Sequence, residues 1–148
     1  MIRPVLLHPD PRLRQSCAPS IGPAAALARD MLDTMYAALG RGLAAPQIGV
    51  LSRLFVMDTT WKEGLPDPRV FVNPEIAAAE GEQVNEERCL SIPETPRRVA
   101  RPRRIVLTFD GPDGHRRDEA FEGFAAACIC HEVDHLDGVL ILDHPEAA

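Results

Sequence analysis

No stretch of this 148-residue chain approaches the ~18 consecutive apolar residues of a membrane span. The opening MIRPVLLHPDPRLRQ is interrupted by Pro4 and His8 before an apolar centre forms, so it does not read as a secretory signal. A cytoplasmic location, or an organelle after processing, is the expectation. Aromatic residues are scarce at 5%, which leaves no stacking platform for single-stranded nucleic acid. Positive charge is the minority sign, with 16 Lys and Arg against 22 Asp and Glu and a net charge of −6. General binding to nucleic acid or to an anionic membrane is therefore excluded as a first reading. The cysteines Cys17, Cys89, Cys128 and Cys130 form no C-x-x-C pair. A chain of this size needs no disulfide framework, so free thiols or metal ligands are the better readings. Internal repeats and low-complexity tracts are also missing.

What is present reads as one soluble globular domain over residues 1–148, with 45% hydrophobic and 26% charged residues. Fourteen prolines and ten glycines cut the chain into short elements. Residues 1–23 are turn-rich. Pro23 opens a helix in which Leu27, Met31 and Met35 recur every four residues, and Gly40 is its expected stop. GRGLAAPQIG that follows is too rich in small residues to be a strand. Leu54–Asp58 and Arg69–Asn73 predict strands joined by the loop TTWKEGLPDP, in which Trp61 is a lid or a packing anchor. Residues 75–87 predict a strand pair with an acidic surface. Arg104–Asp110 alternates as a strand should and is followed by a turn and a partner near Arg116–Phe121. The last element is an apolar helix over Gly123–Leu136, closed by Gly138. Strand runs with two helices argue for an α+β fold, the last helix buried against a sheet. The basic run Arg97, Arg98, Arg101, Arg103 and Arg104 reads as a solvated edge strand, or as a lip for substrate or an acidic partner. His115 and His144 fall in turns and are expected to be exposed.

The string with most chemical content is His131-Glu132-Val133-Asp134-His135. On a helix, positions i and i+4 share a face, and two imidazoles there reach one cation at about 2.0–2.1 Å. Glu132 flanks that cation and can hold a water and take its proton. A catalytic site needs a third protein ligand and an open position. The pattern H-E-x-x-H-x-x-G-x-x-H is matched as far as Gly138, but Ile141 stands where the last His belongs. A downstream glutamate is no better, since the only one is Glu146 near the end. Cys128 and His135 are separated by seven residues, about 10.5 Å along a straight helix, too far for one ion. Cys128 is then a small wall residue, Cys130 points into the core, and Cys17 has no companion. Cys89, in EERCLSIPE, remains as the third ligand.

Three strings stand in order: GRGLAAPQIG, EERCLSIPE and CHEVDHLDG. They resemble the peptide deformylase family, whose motifs are G-φ-G-φ-A-A-x-Q, E-G-C-φ-S and H-E-x-D-H. The resemblance runs from DPRL at residue 10 through FVNP to LILD at residue 143. It implies a deformylase-like α+β fold and a hydrolase that removes the N-formyl group from the N-terminal methionine of new polypeptides. It also implies Cys89, His131 and His135 as metal ligands and Glu132 as the acid and base. Gln47 and the backbone N–H of Leu90 become oxyanion donors, and Gly42 pairs with the extended substrate. The implied ion is ferrous iron, with zinc or nickel as substitutes; donor chemistry alone suggests zinc.

The pattern is broken at three places. Arg88 stands where the family has a glycine and Arg41 where it has an aliphatic residue; the resemblance puts both at the substrate cleft, next to Cys89 and Gln47, with Gly42 and Cys128 as further expected cleft residues. Both guanidinium groups are expected to face solvent or an acidic partner, because a buried unpaired cation is costly. The third break is the stop at Ala148, without the C-terminal helix tied to ribosome docking, so docking by that route is not expected. Two alternatives stand beside the deformylase reading: a related hydrolase with another formylated or acylated substrate, and a non-catalytic metal-binding interaction protein.

Overall fold

The computed structural model describes all 148 residues. A helix α1 (Ala25–Ala37) precedes strands β1 (Gly42–Ala44) and β2 (Leu54–Met57), and the long strand β3 (Arg69–Glu80) follows. Strands β4 (Gln83–Cys89) and β5 (Ile92–Arg101) form a hairpin, then β6 (Arg104–Asp110), β7 (Arg116–Glu122) and helix α2 (Gly123–Leu136) complete the order. Five strands make one antiparallel sheet in the order β1-β2-β3-β6-β7, and β4-β5 stand apart as a pair. This is the α+β arrangement that the residue pattern predicts.

Strand β2 shows why the layers form. Its side chains alternate sides, so Leu54 and Val56 pack with Met31 and Met35 of α1, while Phe55 and Met57 pack with Ile129 and Val133 of α2. A helix thus covers each face, and all of β2 is buried. Phe71 on β3 sits at the centre of the α2 side, 4.7 Å from Phe55 and 4.8 Å from Phe109 between ring centroids. Phe71→Ala removes a fully buried ring and its neighbours cannot collapse into the space. We expect a loss of about 3–5 kcal/mol in unfolding free energy, read from denaturant melts.

Helix α2 has the bounds the sequence predicts, and Gly138 takes a positive φ of 75° just beyond it. Buried residues occur all round this helix, from Ala126 to Leu136, as befits a central helix. Helix α1 is shorter than its periodicity suggests, and the left-handed turn after it falls on Leu39 rather than Gly40. Two further expectations are corrected. Gly42–Ala44 is a strand despite its small residues, because pairing with Phe55–Met57 gives it a register that intrinsic propensity does not supply. The acidic stretch is two strands, as expected, but they do not pair with each other: β3 runs on to Glu80 and pairs with β6, while β4 pairs with β5.

Candidate metal centre

Helix α2 carries His131 and His135 one turn apart, their ring centroids separated by 5.1 Å. The β4–β5 hairpin brings Cys89 to them. A register shift between Glu87 and Cys89 turns the end of β4 toward the helix, and Cys89 Sγ lies 3.3 Å from His135 Nε2. One donor atom from each of Cys89, His131 and His135 falls within 4.8 Å of the others, and all three side chains are largely shielded from solvent. A thiolate with two imidazoles suits a divalent first-row cation and leaves room for a further ligand. The donor set therefore fits a divalent metal ion.

The imidazoles differ. His131 Nδ1 lies 2.9 Å from Glu87 Oε1, so Nε2 is the nitrogen free to face the other donors. Burial opposes charge on this ring, but its bonds to Cys89 and Glu87 outweigh burial and raise its proton affinity well above the ordinary histidine value. His135 Nδ1 has no partner, and burial, then the nearby His131, push its pKa well down. A neutral imidazole is the form that ligates a metal.

Glu132 points from the same helix into the cleft and is 4% exposed. Burial, more than any neighbouring charge, pushes its carboxyl up to about 7, which suits a group that must take and return a proton near neutrality. Its Oε1 has no protein partner. Gly42 explains how the carboxylate fits. A Cβ on Gly42 would overlap Glu132 Oε2 and lie 3.1 Å from Cys128 Sγ, so only glycine lets β1 run this close to the helix.

Gln47 sits in a buried 3₁₀ turn after β1. The Ala44 N–H donates to its Oε1 at 2.9 Å, which fixes the amide so that its NH₂ faces the centre. Nε2 then donates to Ser91 Oγ at 3.1 Å and lies 3.8 Å from Cys89 Sγ. Leu90 lies in the turn just past Cys89, and Gly42 is on the edge strand of the sheet. These groups share one cavity of about 540 Å³ with Cys128, Phe124 and Lys62 on its walls.

Arg41 and Arg88 also line this cavity, and each finds an acidic neighbour as expected. Arg88 extends into solvent and pairs with Glu86 at 3.1 Å. Arg41 pairs with Glu63 at 2.9 Å and covers the Phe124 ring, 5.5 Å from its centroid, but its Nε is buried without a partner. Trp61 is a packing anchor: its Nε1 donates to Gly40 O at 2.9 Å and its ring meets Tyr36 edge-on. Of the other thiols, Cys130 lies in the core, where burial raises it to about 11, and Cys128 is raised well above its ordinary value for the same reason.

Three residues of the sequence reading are corrected. Arg101 is neither solvated nor a lip. It is 5% exposed and forks onto Glu87 with two bonds of 2.8 Å. His144 is half-buried rather than exposed, with Nε2 2.8 Å from Asp134 Oδ2. Burial opposes charge on Glu87, but Arg101 and His131 outweigh it and hold the carboxyl down at about 2. Glu87, expected on an acidic strand surface, is instead buried behind His131.

A helix bearing two imidazoles and a carboxylate, a thiol delivered by a hairpin and an oriented amide define a metallohydrolase on an α+β scaffold. The chain belongs to the polypeptide deformylase family, whose sequence model matches residues 2–147. A peptide deformylase of Mesorhizobium japonicum is 46% identical over 97% of this chain and 84% of its own length. The crystal structure of a peptide deformylase from Legionella pneumophila superposes with a TM-score of 0.93 at 40% identity, covering 99% of this chain and 87% of that one. A Met-Ala-Ser-bound peptide deformylase from Acinetobacter baumannii matches at 27% identity and a TM-score of 0.89, over 98% and 99% of the two chains.

Proposed function

We propose that residues 1–148 act as one hydrolase domain that removes the formyl group from the N-terminal methionine of new polypeptides, yielding formate and a free amine. The observation that carries this reading is the convergence of Cys89, His131 and His135 beside a cavity lined by Cys89, His131, Glu132 and Gln47. A divalent cation bound by those three donors would polarise the formyl carbonyl and make water a better nucleophile. We take the resident ion to be ferrous iron, on the family resemblance, with zinc or nickel able to replace it.

The chain's own groups do the rest. Glu132 takes the proton of the attacking water and returns it to the departing amine nitrogen. Gln47 Nε2 and the Leu90 N–H donate to the carbonyl oxygen as it gains charge; one such donor is worth about 3–4 kcal/mol. Gly42, on the edge strand of the sheet and on the cavity wall, offers backbone groups to an extended peptide. That a similar structure is Met-Ala-Ser-bound supports a peptide as the substrate class. No helix is long and apolar enough to cross a membrane, and we place the reaction in the cytoplasm, where formylated chains are made. Formate release from formyl-Met-Ala-Ser by iron-loaded protein prepared without oxygen tests the reading; free-amine release from acetyl-Met-Ala-Ser, whose hydrolysis would yield acetate, is the control. No formate above the metal-free protein would overturn it.

Substrate preference is the finer part of this reading. Arg41, Lys62 and Arg88 stand on the cavity wall, Arg41 and Arg88 each paired to a glutamate. We expect a formyl-Met peptide with Asp or Glu after the methionine to exceed a neutral one in kcat/KM by about 2- to 5-fold at low salt, the range of an exposed ion pair. High salt or Arg41→Ile will erase the difference, and Arg88→Gly will change it less, since Arg88 is already paired in solvent. A ratio that moves with neither makes the arginines bystanders.

A further inference from the structure

The bonds behind His131 extend much further than one imidazole requires. Glu87 meets His131 Nδ1 through Oε1, and Arg101 grips the same carboxylate with Nη2 on Oε1 and Nε on Oε2. The remaining guanidinium nitrogen, Nη1, donates to Asp134 Oδ2 at 2.6 Å. That oxygen also takes His144 Nε2 at 2.8 Å, and since a carboxylate only accepts, the ring nitrogen carries the proton. Arg97 Nε donates to His144 O at 2.8 Å and Ala147 N to Arg98 O at 3.0 Å, which holds the C-terminal segment on β5.

Four parts of the chain therefore meet at one buried guanidinium: β4 through Glu87, β5 through Arg101, α2 through Asp134 and the C-terminal segment through His144. Glu87 is two residues from Cys89, and Asp134 is next to His135. The planar fork accepts two carboxylates in only one placement. It thereby sets the distance between the strand that brings the thiol and the helix that brings the imidazoles. Burying Arg101 this deeply is tolerable only because all three of its nitrogens find acceptors.

We propose that Arg101, closed from the far side by His144, is a positioning residue that sets the metal affinity of the Cys89–His131–His135 centre. It acts through Glu87 and Asp134, without touching the ion. The proposal rests on reading that centre as a metal site.

The test compares zinc-loaded wild type with Arg101→Lys, Glu87→Gln, the double variant and His144→Phe. Chelator competition gives zinc affinity, the visible spectrum of the cobalt-substituted protein reports ligand geometry, and thermal melts report the fold. Arg101→Lys keeps the charge but loses the fork. It and Glu87→Gln will each weaken zinc about 10- to 100-fold, the usual cost of losing an outer partner of a ligand, and will shift the cobalt bands. Because Arg101 acts in part through Glu87, the loss in the double variant will be smaller than the two single losses combined. His144→Phe, at the more exposed end of the chain of bonds, will weaken zinc about 3- to 10-fold. Folded Arg101→Lys with wild-type zinc affinity and cobalt spectrum would overturn the proposal, as would losses that add in the double variant. If Arg101→Lys does not fold, unchanged affinity in His144→Phe overturns it instead. Wild type that takes up no zinc would overturn the metal reading itself.

Discussion

Cys89→Ala, His131→Ala and His135→Ala will each purify without bound metal and without measurable formate release, while Cys128→Ala and Cys130→Ala keep their metal. The three donors are the only group of three His, Cys or carboxylate side chains close enough together to share an ion. A site with three protein ligands cannot lose one and keep its affinity; the effect must exceed the ~10–100-fold cost of losing an outer partner. Cys128 is the sharper control. It lies on the same helix one turn before His131, yet its sulfur faces Gly42 and the cavity wall. Metal content by elemental analysis settles both halves. Full metal in Cys89→Ala would remove the thiolate from the centre.

Glu132→Gln will hold near-normal metal and turn over at least about a hundredfold more slowly, the lower range for loss of a general base. The substitution suits this site. The carboxylate is packed against Gly42, and an amide of the same shape fits without disturbing the helix or the adjacent His131. What changes is the lone pair that takes the water's proton. Single-turnover formate release, measured beside metal content, separates a lost base from a lost ion. Wild-type turnover in Glu132→Gln would exclude the carboxylate from the chemistry.

The centre was legible because its parts obey local rules. The i, i+4 spacing places His131 and His135 on one face whatever surrounds them, and the apolar run before them buries that face. Cys89 could be reached by elimination, since helix geometry disqualifies Cys128 and composition strands Cys17. Arg101 could not. It lies among five arginines between residues 97 and 104, and nothing local distinguishes the one that turns inward. Its partners lie 14 and 33 residues away, so its role exists only once the hairpin has folded against α2. The same holds for β1, whose three residues have no strand character until β2 pairs with them. His144 reads as a turn residue because its partner Asp134 lies on another element.

Strand β2 has a neighbour on either edge and a helix over either face. Its backbone amides can meet deuterated solvent only when the whole sheet opens, so they will be among the last to exchange and will report global unfolding. The β4–β5 hairpin is paired only to itself, and its amides can exchange through a smaller opening. Cys89 belongs to the hairpin and the two histidines to the sheet-and-helix body. An ion shared between them staples the hairpin to the sheet-and-helix body, and its release will show first as faster deuterium uptake between residues 83 and 101.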